Sequence, residues 1–223
     1  MSPPLSWHLK SFFVPERLDA SVVERLEWCR AFRARILCDG NRRPEFRSGD
    51  GSFADVQELD FNAWHFTARK PGGPVLGYIR LATPAALMHH QTRLFLGPDR
   101  FTAFLDGEDV RDGGVFEPSR IVVDEAARGL GLGAYLFAVS MAAARVLGAS
   151  AMVATSGTAD GQLQLWQRFG FRIVPGSRAY IERYTEDVVA IVNRTQDTAA
   201  EFEGLVSRIA ARPDLLLPVP QMK

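Results

Sequence analysis

Three consecutive segments constrain this chain more than any other feature. Val115 to Val123 is a Val/Ile-rich strand pattern. It is followed by Arg128-Gly129-Leu130-Gly131-Leu132-Gly133. A helical pattern then runs from Gly129 to Leu147, with Leu132, Leu136, Val139, Ala143 and Val146 on one stripe and Gly148 as its stop. A strand, a glycine-rich turn and a helix start together make an anion site. The first N–H groups of a helix have no internal partner, and the helix dipole favours negative charge there. Glycines let the backbone approach a ligand closely, and Arg128 adds a cation at the rim. The alternative is a turn that merely packs helix against strand. Two familiar glycine turns are excluded. A dinucleotide fold needs Gly-x-Gly-x-x-Gly and an acidic residue about twenty positions on. Here the glycines alternate, and Gly148-Ala149-Ser150 stands where the acid belongs. The Gly-Lys-Ser/Thr of a P-loop is missing.

The rest of the chain reads as alternating elements. Leu18 to Leu37 is a helix with Leu26, Cys29, Phe32 and Ile36 on its apolar face, capped by Asp19 or Ser21. Asp39 to Ala54 is a long polar loop. Val56 to Ala68 and Val75 to Ala82 form a hairpin about Lys70-Pro71-Gly72-Gly73. Thr83 to Gly114 offers only a short helix near Arg100 to Leu105. After the glycine-turn helix come a strand (Ala151–Thr155), a helix (Asp160–Phe169), strands at Phe171–Val174 and Val188–Val192, a terminal helix (Thr198–Ala211) and a proline-punctuated tail (Pro213–Pro220). The order predicts an α/β (α+β) fold, a mixed sheet with helices on both faces, as one domain over 1–223. Its core spans about 18–195, with residues 196–223 as C-terminal helix and tail.

Composition narrows the function classes. Lys plus Arg and Asp plus Glu each number 26, which argues against a general nucleic-acid binder. The basic clusters Arg30/Arg33/Arg35 and Arg42/Arg43/Arg47 read as solvated faces. Two cysteines, Cys29 and Cys38, build no disulfide framework, and Cys29 falls on a core stripe. His89-His90 lacks a second ligand pair, so no metal is expected. Met1-Ser2-Pro3-Pro4 opens no secretory signal and no apolar run is long enough to span a membrane, so the expectation is a soluble, cytoplasmic protein. Oligomeric state is not readable.

Charges inside the strand patterns mark a candidate site. Glu58 and Asp60 are two apart and would share one face of their strand, with Arg80 on the next strand placed to pair with either. Glu117 and Arg120 flank Pro118, which has no N–H for a ladder. A bulge there would bring both side chains to one site and open the sheet beside the glycine turn.

Arg128, Gly131 and Gly133 match the Arg-x-x-Gly-x-Gly spacing with which the GNAT acyltransferase superfamily holds the pyrophosphate of coenzyme A. Leu165-Trp166-Gln167-Arg168-Phe169-Gly170-Phe171 resembles that superfamily's helix-ending segment, with Trp166 where a tyrosine is frequent. An indole N–H is no acid at neutral pH, so Trp166 is expected to be packing or a wall of the acyl channel. A narrower resemblance rests on Phe32-Arg33-Ala34-Arg35-Ile36-Leu37, Glu58-Leu59-Asp60, Gly77-Tyr78-Ile79-Arg80-Leu81 and Glu117-Pro118-Ser119-Arg120. In this order they are similar to the N-acyl amino acid synthases and the acyl-homoserine-lactone autoinducer synthases. Leu37 replaces a usual aromatic.

The resemblance implies a GNAT fold and transfer of a fatty acyl group, of long chain in these families, from acyl carrier protein or acyl-CoA to an α-amine. No tightly bound cofactor is implied beyond that acyl-phosphopantetheine donor. The clear phosphate turn points to an amino acid acceptor and an N-acyl amino acid product. Alternatives are an acetyl-CoA-dependent N-acetyltransferase, an acyl-homoserine-lactone synthase and a non-catalytic acyl-CoA-binding module. Glu117 is the candidate general base, and Arg120 is expected to orient it or bind the acceptor carboxylate. Arg33, Glu58, Asp60 and Arg80 are expected on the acceptor side. Arg128, Gly129, Gly131 and Gly133 are expected on the donor phosphates. Backbone N–H groups near Ser119 to Ile121 would polarise the thioester carbonyl.

Overall fold

The computed structural model describes residues 7–41, 43–159 and 161–218, with Arg183 described by its backbone alone. Arg42 of the basic cluster, Asp160 at the expected start of a helix, Met1 to Pro4 and the last residues of the proline tail lie outside them.

A mixed sheet organises the chain. Its strands are β1 (His8–Val14), β2 (Ala63–Arg69), β3 (Val75–Ala82), β4 (Val115–Val123), β5 (Ala151–Gly157), β6 (Arg172–Ile173), β7 (Ala179–Ile181) and β8 (Glu186–Arg194). The order is β1-β2-β3-β4-β5-β8-β6, with β7 also on β8. Every pairing is antiparallel except β4 with β5. The expected hairpin is β2–β3. Edge strand β1 and short β7 carry no clear sequence signal and are additions to the expected order.

Helices cover both faces. One face carries α1 (Ala20–Asp39), α2 (Gln91–Leu96) and α3 (Pro98–Gly107). α1 packs on Tyr78 and Val122, and α2 and α3 pack near Val115, Val153 and Val192. The Asp19 carboxylate caps α1, accepting from Val22 N at 2.9 Å. The other face carries α4 (Leu132–Val146), α5 (Gln162–Arg168), α6 (Ala200–Ala210) and α7 (Pro213–Leu216) over Phe66, Ile79, Leu81 and Phe116. Leu132, Leu136 and Phe137 are fully buried, and each such side chain stabilises by about 1.5–3 kcal/mol. α4 lies tight against β3 because Gly77 has no side chain: a Cβ there would come within 2.7 Å of Leu136 Cδ1.

Two expected elements differ. Residues 56–62 are not strand. Glu58–Asp60 form a 3-10 turn, closed by Gln57 N donating to Asp60 Oδ2 at 3.3 Å, and Asn62 takes a left-handed φ of 51° before β2 starts. The pull of the surrounding arginines on Asp60 overrides the extended pattern. Residues 83–114 hold more helix than expected: a 3-10 turn at Pro84–His89, then α2 and α3. Their apolar residues are split among three short pieces, so no single period shows. Among the described residues no helix is long and apolar enough to cross a membrane.

Candidate functional site

The sheet opens between β4 and β5. They pair only at Val115↔Ala151 and Phe116↔Met152. Beyond that, Pro118 offers no N–H, and a bulge follows at once. Tyr78 pairs with Val122 but Arg80 with Ser119, so Arg120 and Ile121 oppose Ile79 alone. Arg120 has a left-handed φ of 55°, uncommon for a side chain of its size. The extra residue flips the alternation: Val122 shares the face of Val115, and Ile121 shares that of Phe116. The expected bulge and opening are both present.

A cavity of about 580 Å³ fills the opening. Glu117 to Val122 line one side, and Thr155, Gly157 and Val188 line the other. The loop after α1 contributes Arg43 and Glu45, the turn before β8 contributes Tyr184, and the first residue of β8 is Glu186, also on the wall. Arg43 stacks on the Tyr184 ring at 4.0 Å and so ties these two segments together across the cavity.

Behind this wall lies a buried charge network. Arg33 on α1 donates to both oxygens of Asp60, at 2.6 and 2.8 Å, and to the Tyr78 hydroxyl at 3.1 Å. Its Nε lies 2.7 Å from Asp55 Oδ2, an ion pair whose angle falls short of a hydrogen bond. It also donates to the Asp55 carbonyl. Arg80 donates to Asp60 at 2.5 Å, to Gln57 at 2.8 Å and to Ser119 at 3.0 Å. Arg30 adds a third arginine on Asp60, at 2.9 Å. Burial would raise the Asp60 carboxyl, but Arg80 and Arg33 outweigh it and hold it far below the usual range.

His65 and Tyr78 complete the network. Asp60 O accepts from His65 Nε2 at 2.9 Å, so Nε2 carries the proton. Nδ1 then accepts from the Tyr78 hydroxyl at 2.8 Å, and that oxygen accepts from Arg33. Burial pushes the His65 ring down to about 3, against the pull of Asp60. The imidazole is therefore neutral at pH 7.

The expected site residues fall into four places. Glu117 and Arg120 both line the cavity, but they are not partners. Arg120 pairs with Asp55, at 2.8 and 3.4 Å. Glu117 instead accepts from the first amides of α2, Gln91 N at 2.9 Å and Thr92 N at 3.0 Å. His90 stands near it, neutral through burial, with Nδ1 buried and unpartnered. Arg33, Asp60 and Arg80 stand behind the cavity wall. Glu58 is exposed and belongs to no part of the network, because the 3-10 turn separates it from Asp60. Arg80 therefore pairs with Asp60, not Glu58.

The glycine turn lies beyond the cavity, at the far end of β4. Gly131 is the N-cap of α4, with φ 80°, and Gly129 has φ 75°. These left-handed values are nearly free for glycine only. Arg128 reaches back to Val123 O at 3.4 Å. Trp166 is packing and cavity wall at once. Its ring meets Phe137 at 4.4 Å edge-on and Phe171 at 4.9 Å, and one side faces the cavity.

Asp55, Gln57, His65 and Glu186 join the site without having been named from sequence; Tyr78 stood there only within a motif, His90 only in a histidine pair, and Arg43 only in a cluster read as a solvated face, although it is buried. Asp55 lies in a polar loop and has no pattern to mark it. The available signal for His65 and Tyr78 was alternation: each shares a sheet face with Arg80, and they sit opposite or beside it across β2 and β3. Counting charges over Arg30, Arg33, Arg80 and Arg120 against Glu27, Asp55 and Asp60 leaves one positive charge. Of these four arginines, Arg120 alone lines the cavity.

No family model and no curated protein sequence matches the chain. Solved structures do match its fold. The CoA-dependent acyl-homoserine lactone synthase BjaI, solved with MTA, aligns with a TM-score of 0.62 at 18% identity, over 96% of this chain and 92% of BjaI. For the AHL synthase LasI the TM-score is 0.58 at 14% identity, over 89% and 95%. For TofI, in a ternary complex with an inhibitor and MTA, it is 0.56 at 19% identity, over 84% and 91%. The open, mostly antiparallel sheet with helices on both faces is thus the GNAT fold, which the chain shares with these solved structures.

Proposed function

We propose that the protein is an acyltransferase of the acyl-homoserine lactone synthase type. It would take an acyl group from a pantetheine thioester, on CoA or acyl carrier protein, to the α-amine of S-adenosylmethionine. The observation that carries this reading is the β4/β5 opening with Glu117 and Arg120 on its wall. A thioester arm can lie in such an opening, with its phosphates at the amides of Gly131 to Gly133 and beside Arg128. Those groups stand at the end of the same strand.

Charge supports the acceptor. Glu117 and Glu186 face the cavity with backbone amides as their hydrogen-bond donors. Together they outweigh the single surplus charge at Arg120. An acceptor with an ammonium, a sulfonium and a carboxylate complements that balance, its carboxylate toward Arg120. BjaI has also been solved with SAM and isopentyl-CoA.

The chemistry then follows from placement. The amine nitrogen bonds to the thioester carbon and the C–S bond breaks. The acceptor ammonium gives one proton to solvent before attack, and a second passes by way of Glu117 to the leaving sulfur, giving the amide and the free thiol. With S-adenosylmethionine the acceptor carboxylate then bonds to its own Cγ, the C–S bond to the sulfonium breaks, and the lactone and MTA leave. Both Glu117 oxygens keep a second lone pair beyond the α2 amides. The bulge at Arg120 and Ile121 leaves backbone N–H capacity outside the ladder for the developing oxyanion.

A second reading is transfer to a free amino acid, giving an N-acyl amino acid. The glycine turn is equally compatible with it, because the turn suits a CoA-like phosphate whatever the acceptor. One assay separates the readings. The purified protein is given acyl-CoA donors of graded length with S-adenosylmethionine or with single amino acids. Thiol release together with MTA release supports the first reading. Thiol release with amino acids and no MTA supports the second. No thiol release with any acceptor, from CoA or acyl carrier protein donors, overturns both.

A further inference from the structure

A second cavity, of about 810 Å³, lies on the other face of the sheet, between β1, the start of α4, and α6 with α7. Four cations line it: Lys10, Arg69, Arg208 and Arg212. Among the described residues none of the four has an acidic partner. Lys10, Arg208 and Arg212 are exposed and Arg69 is half-buried, whereas the buried arginines on the other face, Arg30, Arg33 and Arg80, are all paired.

Arg69 makes the case sharper. It sits at the end of β2, half-buried, and its Nε is buried without a hydrogen-bond partner. A buried guanidinium N–H left unpaired is expensive, and an anion is the partner it suits best. The walls, by contrast, are apolar. Leu205 and Ile209 of α6, Leu216 of α7, and the rings of Trp7 and Tyr135 supply them. α7 is fixed against β1 by Ser11 Oγ donating to Leu216 O at 2.7 Å.

An apolar trough with four unneutralised cations along it fits one chemical class: a long alkyl chain ending in a carboxylate. The volume lies in the range of small-molecule sites, which are mainly apolar with a few convergent polar groups. Simple anions would leave the apolar walls exposed, and neutral alkyl chains would leave Arg69 unpaired. We propose that this groove binds a long-chain fatty carboxylate, with the carboxylate on Arg69 and Arg212 and the chain along Leu205, Ile209 and Leu216. The site is separate from the β4/β5 cavity, and this inference does not rest on the reading of that cavity.

The test is calorimetric titration of the full-length protein with dodecanoate, dodecanol and acetate. Dodecanoate is expected to bind at one site, at least tenfold more tightly than dodecanol, with no measurable acetate binding. A saturating acyl-CoA should not displace it. Arg212→Glu, at an exposed position, should weaken dodecanoate at least tenfold with an unchanged melting curve. Arg69→Gln and Ile209→Asp should weaken it too. Equal binding of dodecanol, displacement by acyl-CoA, or wild-type affinity in Arg212→Glu and Arg69→Gln would each overturn the proposal. So would acetate binding as well as dodecanoate, which would mark an anion site without a chain.

Discussion

Arg33 holds both oxygens of Asp60, at 2.6 and 2.8 Å, and neither side chain touches solvent. The same carboxylate also takes Arg80 at 2.5 Å. Asp60 is thus the negative centre on which the packing of α1 against β3 depends. Asp60→Asn would leave three buried guanidiniums, those of Arg30, Arg33 and Arg80, around a neutral amide. Removing one partner of a buried ion pair destabilises by about 3–5 kcal/mol. The urea midpoint of Asp60→Asn should fall by a corresponding amount. Glu58→Gln, on the same 3-10 turn but exposed, should stay within about 0.5 kcal/mol of wild type. Similar losses in the two variants would show that Asp60 is not that centre.

Stability should fall with acid, and His65 supplies the sign. Its folded value, about 3, lies below the ordinary value of 6.5. Between those limits the unfolded chain binds a proton that the folded chain refuses. The contribution is therefore complete above about pH 6.5 and is lost progressively as pH falls toward 3. Unfolding free energy measured at pH 7 and pH 5 should drop by roughly 1–2 kcal/mol from this residue. His65→Gln should flatten that slope. An unchanged slope would assign the acid sensitivity to the carboxylates.

Glu117 anchors the start of α2 as well as facing the cavity. Gln at this position keeps a single acceptor oxygen for two amides, so Glu117→Gln should lose about 1 kcal/mol of stability. If Glu117 also carries the proton, turnover should fall by a factor of about 100 or more while donor affinity holds. Equal kcat in the two proteins would leave Glu117 with its structural role only.

Gly133 separates ligand contact from backbone strain. Gly129 and Gly131 have left-handed φ, so side chains there strain the turn itself. A Cβ at Gly133 meets Val123 Cγ2 at 3.7 Å, an ordinary contact. Gly133→Ala should be stable, gaining up to about 1 kcal/mol of helix propensity. It should nevertheless weaken binding of CoA or of a phosphopantetheine donor, because the methyl occupies the approach to the turn. Unchanged donor affinity would remove this turn from the donor site.

The central part of the fold was readable because its signals are local. β4 runs from Val115 to Val123 as its Val/Ile pattern indicates, and α4 buries Leu132, Leu136, Val139 and Ala143 of the expected stripe, while Val146 at its end is exposed. Pro118 foretold the opening of the sheet, since a residue without an N–H interrupts a ladder wherever it stands. The rest depends on contacts between distant residues. Asp55 matters because Arg33, Arg80 and Arg120 converge near it, and nothing within its own loop records that. Glu58 and Asp60 share a strand face on paper, yet Asp60 is pulled inward by arginines 20 to 30 residues away while Glu58 turns to solvent. Edge strand β1 is set by its pairing with β2, from His8 with Arg69 to Val14 with Ala63, far along the chain.

The short pairing of β4 with β5 has a mechanical consequence. Two rungs, Val115 with Ala151 and Phe116 with Met152, weld a four-strand plate to a second plate built on β8. On one side the plates also meet through the ring of Phe137, which touches Trp166, Phe169 and Phe171. A tilt of the plates about that aromatic cluster would widen the crevice without breaking a hydrogen bond inside either plate. Amide exchange should accordingly resolve two cooperative units, with the weld as their shared boundary.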